Sequence, residues 1–342
     1  MQKTDVVIIG AGPVGLFQVF ELGLLGLKAH VIDSLEQPGG QCSELYPEKP
    51  IYDIPAHPEL SGQELTDKLL QQIAPFAPTF HLGEQVTALQ GDASGFIVQT
   101  SQGTQIMAKA VVIAAGMGMF EPVRLNLPGI EQYEEASVHY KISELERFRD
   151  RHVVVLGGGD SALDWALALQ PLAASVSHVH RSTKFRAAPA SVEKLMQLCE
   201  QQQMLSMTGQ ITGFTEANGR LNALKVTGND GVTRLLETED VLVFFGQSPD
   251  MTVINSWQLE MHKKQIRVDT EKFQTSQPGI YAVGDINWYP GKKKLILSGF
   301  HEAALAAFAI KAQLEPGKKV HLQYTTTSPI MHQRLGIKDE AA

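Results

Sequence analysis

The 342-residue chain has only two cysteines, Cys42 and Cys199, and that scarcity excludes a disulfide-stapled secreted scaffold. Basic residues are also in the minority. Against 37 Asp and Glu stand 29 Lys and Arg, a formal charge of −8, so the overall field repels phosphate backbones and excludes nucleic acid as the main partner. No apolar run approaches the ~20 residues of a membrane span. The apolar stretch from Val6 to Phe17 lacks the basic flank of a signal peptide and carries patterned glycines instead. These absences suit a cytoplasmic protein without a membrane partner. What the chain does have is an ordinary globular composition, 43% hydrophobic and 19% charged, and a length that suggests roughly two domains of about 150 residues.

The first thirty-odd residues follow a βαβ grammar. Asp5 to Ile9 is an unbroken apolar run, which predicts a strand covered on both faces. Gly10 to Gly15 predicts a turn, Val14 to Leu25 a helix, and Ala29 to Asp33 the next strand. The same grammar returns at His152 to Leu156, followed by Gly157 to Ala162, a helix over Leu163 to Leu169 and a strand over Ser175 to His180. Two copies predict an α/β fold of two doubly wound, three-layer nucleotide-binding domains. Apolar strands ending on Gly116 and Gly246 mark the crossovers, so residues 117–246 are predicted to form a domain inserted into one built from 1–116 and 247–342. Alternation at Phe96 to Val98, between Gly83, Gly91 and Gly103, predicts a small antiparallel sheet over 80–110.

Gly10, Gly12 and Gly15 form the GxGxxG spacing between a strand and a helix, the context that this pattern needs in order to mean pyrophosphate binding. The first glycine allows the tight turn, the second a close approach of backbone to phosphate, and the third helix packing. Asp33 ends the second strand, about 20 residues on, where an acid accepts hydrogen bonds from an adenosine ribose. The second set, Gly157, Gly159 and Ala162 with Asp160 and Ser161 between them, has no such acid. Its second strand runs into Arg181, Lys184 and Arg186, three cations suited to a 2′-phosphate. Asp285, after Gly284 at a strand end and before a helical stretch from Ser298 to Ala312, is placed to hold a ribitol chain. His178 and His180 have no third ligand type near them in sequence and make a poor metal pair.

These three motifs in this order resemble the two-dinucleotide flavoproteins of the thioredoxin reductase type, which implies FAD at the first site and NADPH at the second. The dithiols of that group are missing. The stretch from Ser137 to Ser143 holds no cysteine, and the Cys-x4-Cys design that Cys42 would begin meets Pro47. Gly39 to Lys49, Gly157 to Ala166 and the late Tyr324 to Ser328 together resemble ferredoxin (flavodoxin)–NADP reductases of the thioredoxin-reductase-like type, over nearly the whole chain. That resemblance implies FAD contacts from Asp33, Gln41, Tyr46, Val86, Phe120, Asp285 and Thr326. It places Tyr46 on one flavin face and Tyr324 of a second subunit on the other, hence a homodimer. One departure is Arg181-Ser182, where relatives often show two arginines. No side chain is assigned a catalytic role, since a flavin couples a hydride donor to a one-electron carrier without protein acid or base. A thiol reductase working through Cys42 and a flavin-bearing redox sensor remain as alternatives. Lys292 to Lys294, with Lys263-Lys264 and Lys318-Lys319, are candidates for steering an acidic ferredoxin or flavodoxin.

Overall fold

The computed structural model describes residues 1–337 apart from Ala93 and Ser143, and leaves undescribed the side chains of 119–121 and 247–250. The chain starts with β1 (Gln2–Ile9), α1 (Pro13–Leu24) and β2 (Ala29–Asp33). α1 begins one residue earlier than expected, because Pro13 lacks the N–H that a first helical turn leaves unbonded in any case. Helix α2 (Gly62–Ile73) then leads to β3 (Thr79–Leu82), β4 (Val86–Asp92), β5 (Gly95–Thr100) and β6 (Gln105–Ile113). The strand order is β3-β2-β1-β6, all parallel, continuing through the antiparallel pairs β6-β5 and β5-β4. The antiparallel sheet expected over 80–110 is therefore a meander grafted onto the main sheet.

Val6, Val7 and Ile8 are fully buried, as the unbroken apolar run requires. Val6 and Ile8 join the core under α1 and α2, while Val7 and Ile9 join the core on the other face with Trp257, Leu259 and Ile266. Each face therefore has its own layer.

The inserted unit repeats the plan with β7 (Val138–His139), β8 (His152–Leu156), α3 (Asp160–Leu169), β9 (Ser175–His180), α4 (Pro189–Glu200) and four strands more. Those are β10 (Leu205–Ala217), β11 (Arg220–Gly228), β12 (Thr233–Glu237) and β13 (Asp240–Val243). Their order is β7-β13-β8-β9-β10, parallel, then antiparallel β11 and β12. The chain returns through β14 (Met261–His262), β15 (Gln265–Arg267), β16 (Ile280–Ala282), β17 (Asn287–Trp288), α5 (Ile296–Leu314) and α6 (Pro329–Arg334). β16 pairs in parallel with the last residues of β6 and so completes the first sheet.

By internal contacts the chain divides into Met1–Met119 with Pro249–Ala342, and Phe120–Ser248. Both crossings fall a little beyond the glycines at 116 and 246. The reason is that the connecting segments, Met119–Pro122 and Gln247–Asp250, pair with each other as a two-stranded ribbon. Among the described residues, no helix is long and apolar enough to cross a membrane.

Candidate functional site

In the first unit the parallel strands β1, β2, β6 and β16 end on one edge of the sheet, the edge where doubly wound folds bind ligands. The turn after β1 is tightly determined. Gly10 has φ +111° and an added Cβ would lie 2.4 Å from the Ala114 carbonyl oxygen; at Gly15 it would lie 1.9 Å from that of Gly10. The fold itself demands glycine at both places. Gly12 differs: its φ of −69° and ψ of 177° suit any residue, and an added Cβ would meet nothing nearer than the Gly40 Cα at 3.9 Å. No atom of the chain needs Gly12 to be glycine, so the space before it, at the positive end of α1, fits an anionic group that approaches the backbone. Gly39 N–H donates to the Ala11 carbonyl at 2.9 Å and ties the Gly39-Gly40 loop to this turn.

The Asp33 carboxylate accepts from Ala11 N–H at 2.6 Å and Leu35 N–H at 2.9 Å. Burial pushes its carboxyl above the usual range, and those N–H donors offset part of the rise. Each oxygen keeps a second lone pair for a ribose hydroxyl. Gln41 opens a single helical turn, Gln41–Glu44, and its amide lies 3.5 Å from where a Cβ on Gly116 would sit. Val86 is buried beside Ile9, Ile32 and Ile113. The Tyr46 hydroxyl lies 3.5 Å from Cys42 Sγ. Its pKa is driven up by burial first, then by Cys42, Asp285 and Asp53, which places Asp285 within electrostatic reach. The first unit thus brings Gly10, Gly12, Gly15, Asp33, Gln41, Tyr46, Val86 and Asp285 to one edge. The Phe120 side chain lies outside the described residues.

Two expectations need correction or relocation. Lys292 is not a solvated docking residue. Its side chain is 4% exposed and is ion-paired to Glu302, itself fully buried, while also donating to the Gly284 carbonyl at 2.9 Å. Glu302 accepts further from Gly284 N–H and Asn287 Nδ2, both at 2.7 Å, and from Tyr289 Oη at 3.0 Å. A network anchored on α5 therefore clamps the Gly284-Asp285 turn. Burial lowers the Lys292 pKa, with Glu302 and Asp285 opposing. Tyr324 and Thr326, in turn, sit in an exposed turn before α6, whose Arg334 donates to the Leu24 carbonyl at the C-terminal end of α1. The glycine turn lies at the other end of that helix, about 18 Å away for twelve residues at 1.5 Å each.

The second unit repeats the logic. Gly157 has φ +139°, and an added Cβ would lie 2.4 Å from the Phe244 carbonyl oxygen; on Gly158 it would lie 2.3 Å from His180 Nε2. Gly159, the N-cap of α3 at φ −101°, has nothing within 4 Å of an added Cβ. Asp160 Oδ1 accepts from Ala188 N–H at 2.9 Å, and Arg186 N–H donates to the Gly158 carbonyl at 2.7 Å, so the loop after β9 folds back over the turn. Ser161, Arg181, Lys184 and Arg186 are exposed there. α3 starts at Asp160, three residues earlier than expected, which puts Asp160 and Ser161 in its first turn.

A family model described as pyridine nucleotide-disulphide oxidoreductase matches residues 4–310. The chain belongs to this family. Among similar members, ferredoxin–NADP reductase 2 of Cupriavidus metallidurans is 59% identical over 337 residues, covering 98% of this chain and 92% of that protein. The ferredoxin–NADP reductase of Albidiferax ferrireducens is 56% identical over 341 residues, covering 98% and 96%. Two solved structures share the fold. Bacillithiol disulfide reductase of Staphylococcus aureus has a TM-score of 0.72 at 18% identity, covering 92% of this chain and all of that one. T. acidophilum thioredoxin reductase has a TM-score of 0.68 at 22% identity, covering 92% and 99%.

Within this pyridine nucleotide-disulphide oxidoreductase the two cysteines are free and lie in different units. Cys42 is 1% exposed and burial raises its pKa, which keeps the thiol protonated and out of reach. Sequence reasoning weighed His178 only as half of a metal pair and missed its structural role. It is fully buried, with Nε2 2.6 Å from the Gly157 carbonyl and Nδ1 3.0 Å from Ser206 Oγ. Burial lowers its pKa, so the ring is neutral; a carbonyl only accepts, so Nε2 carries the proton and Nδ1 accepts from the serine. It braces the glycine turn, with both ring nitrogens engaged in hydrogen bonds. Among the described residues no cluster of metal-ligating side chains exists.

Proposed function

We propose that this protein is an FAD-dependent ferredoxin–NADP reductase, passing electrons between NADPH and ferredoxin or flavodoxin as a cytoplasmic homodimer. One observation carries the reading. Each unit holds a glycine, Gly12 or Gly159, that its own chain does not require, at the mouth of a helix N-terminus, and no dithiol accompanies the pair. Bound FAD supplies hydride acceptance from NADPH and one-electron release, chemistry that no side chain here can perform. The chain's residues bind and orient.

Gly10, Gly12 and Gly15 with α1 take the pyrophosphate of FAD, Asp33 its adenosine ribose and Asp285 its ribitol. Gln41, Tyr46, Val86 and Phe120 hold the rest, with Tyr46 against the ring. Gly157, Gly159, Asp160 and Ser161 take NADPH, and Arg181, Lys184 and Arg186 clamp its 2′-phosphate. Tyr324 and Thr326 act from a second copy. Their exposed turn, tied by Arg334 to the far end of α1, supports that assignment and with it the homodimer.

The test is steady-state NADPH oxidation by the purified holoprotein with ferredoxin, flavodoxin, thioredoxin and oxygen as competing acceptors. Multiple-turnover reduction of a one-electron carrier is expected. Transfer to a dithiol alone would overturn the reading.

A further inference from the structure

We infer that the acidic carrier docks on the β14-β15 hairpin of the first unit, a surface that rests on the reductase reading and adds to it a location. The Lys263-Lys264 turn joins the two strands, with Lys263 at φ +57°, and both lysines are exposed. Lys293 and Lys294, from the loop before α5, are exposed as well. Lys294 Nζ lies 3.0 Å from Met117 Sδ, and Lys263, Lys264 and Lys293 have no ion-pair partner among the described residues. On a chain with a formal charge of −8, such a set of cations is a local reversal of the overall field. Beside this set, Arg267 pairs with Glu260 at 3.4 Å, and Lys294 acts electrostatically on Asp285.

Backbone pairing fixes where this surface lies. β15 runs parallel to β17 with Ile266 opposite Asn287 and Arg267 opposite Trp288. The Gln265 amide donates to the carbonyls of Asp285 at 3.1 Å and Asn287 at 2.7 Å. Lys264 is the next residue, so the basic turn stands at the rim of the Asp285 site. Beside it Trp288 stacks on the His262 ring, 4.0 Å away and 15° from parallel, and has the Arg267 guanidinium 4.9 Å from its ring centre. A pre-ordered tryptophan and arginine are the residue types that anchor protein interfaces. Surrounding lysines supply steering toward carboxylates. A basic rim, a rigid aromatic anchor and contact with the redox site together fit a small carrier protein with acidic residues around its centre.

The experiment compares unaltered holoprotein with Lys263→Glu/Lys264→Glu and with Lys318→Glu/Lys319→Glu, an equal charge change elsewhere on the same unit. Binding of oxidised ferredoxin is titrated calorimetrically at low and high salt. Flavin absorbance and NADPH-dependent ferricyanide reduction serve as controls. The hairpin variant is expected to bind ferredoxin roughly tenfold or more weakly at low salt, with the gap closing at high salt, while both controls stay unchanged. Unchanged ferredoxin affinity, or equal weakening in the two double variants, would overturn the docking site. If the unaltered protein reduces ferricyanide yet neither binds nor reduces ferredoxin or flavodoxin, the carrier reading itself fails and the docking site falls with it.

Discussion

Gly159→Ala separates the cost to the fold from the cost to the ligand. The backbone there, φ −101° and ψ 177°, is open to alanine, and an added Cβ meets nothing within 4 Å. Replacing glycine at such a position stabilises by about 0.4–1 kcal/mol through the unfolded chain. The methyl group would instead stand where a pyrophosphate approaches the start of α3. Losing one charge-assisted hydrogen bond costs about 1.5–3 kcal/mol, which weakens NADPH binding by one to two powers of ten. NADH should suffer by the same factor, since the two cofactors share the pyrophosphate. Gly157→Ala is the contrast. Its Cβ would lie 2.4 Å from the Phe244 carbonyl oxygen at φ +139°, so the fold itself should lose about 1–3 kcal/mol. Urea melts give the stability, and quenching of flavin fluorescence gives nicotinamide affinity. If Gly159→Ala binds NADPH as tightly as the parent while its stability is unchanged or higher, the space before Gly159 does not hold a cofactor.

Three further outcomes can be checked. Arg181→Ala with Arg186→Ala should raise KM for NADPH far more than for NADH, because only NADPH carries the phosphate that these exposed cations would meet; equal effects would remove the clamp. Lys292→Met leaves Glu302 charged and fully buried, and should cost about 3–5 kcal/mol in chemical denaturation, whereas Lys293→Met on the solvent side should stay within about 0.5 kcal/mol. Tyr46→Ala should shift the flavin absorption band and speed FAD loss on dilution, and an unchanged spectrum would take Tyr46 off the ring.

The parts of this protein that were legible in the sequence are those set by local geometry. Gly10 and Gly157 are glycine because the backbone turns through positive φ against a neighbouring carbonyl, a constraint that leaves a fixed spacing after an apolar strand. The insertion was legible for the same reason, since each unit begins with its own copy. What stayed hidden depends on contacts between distant segments. Lys292 reads as one of three solvated lysines until α5 delivers Glu302, ten residues on, beneath it. His178 and His180 sit two apart on one face of β9, both against the Phe185 ring, and only the packing decides that His178 is buried on the Gly157 carbonyl while His180, at the strand end, meets the Lys184 carbonyl. The hairpin β14-β15 pairs only two residues of each strand, too few for any alternation to show.

The two glycine turns are nearly interchangeable, so the choice of cofactor rests on what braces each from the second strand. In the first unit the brace is an acid: Asp33 accepts from Ala11 N–H and leaves negative charge where a ribose would sit. A 2′-phosphate brought there would meet a buried carboxylate, and like charges in a desolvated site are strongly unfavourable. In the second unit the brace is the neutral ring of His178, which donates to the Gly157 carbonyl and carries no charge of its own. Around it the loop from Arg181 to Arg186 adds three exposed cations, folded onto the turn by the Arg186 N–H bond to Gly158. On the proposed reading, the same backbone geometry would therefore disfavour a 2′-phosphate in one unit and favour it in the other. Discrimination between the two dinucleotides needs no difference in the turns themselves, only the exchange of an acid for an imidazole with a basic loop.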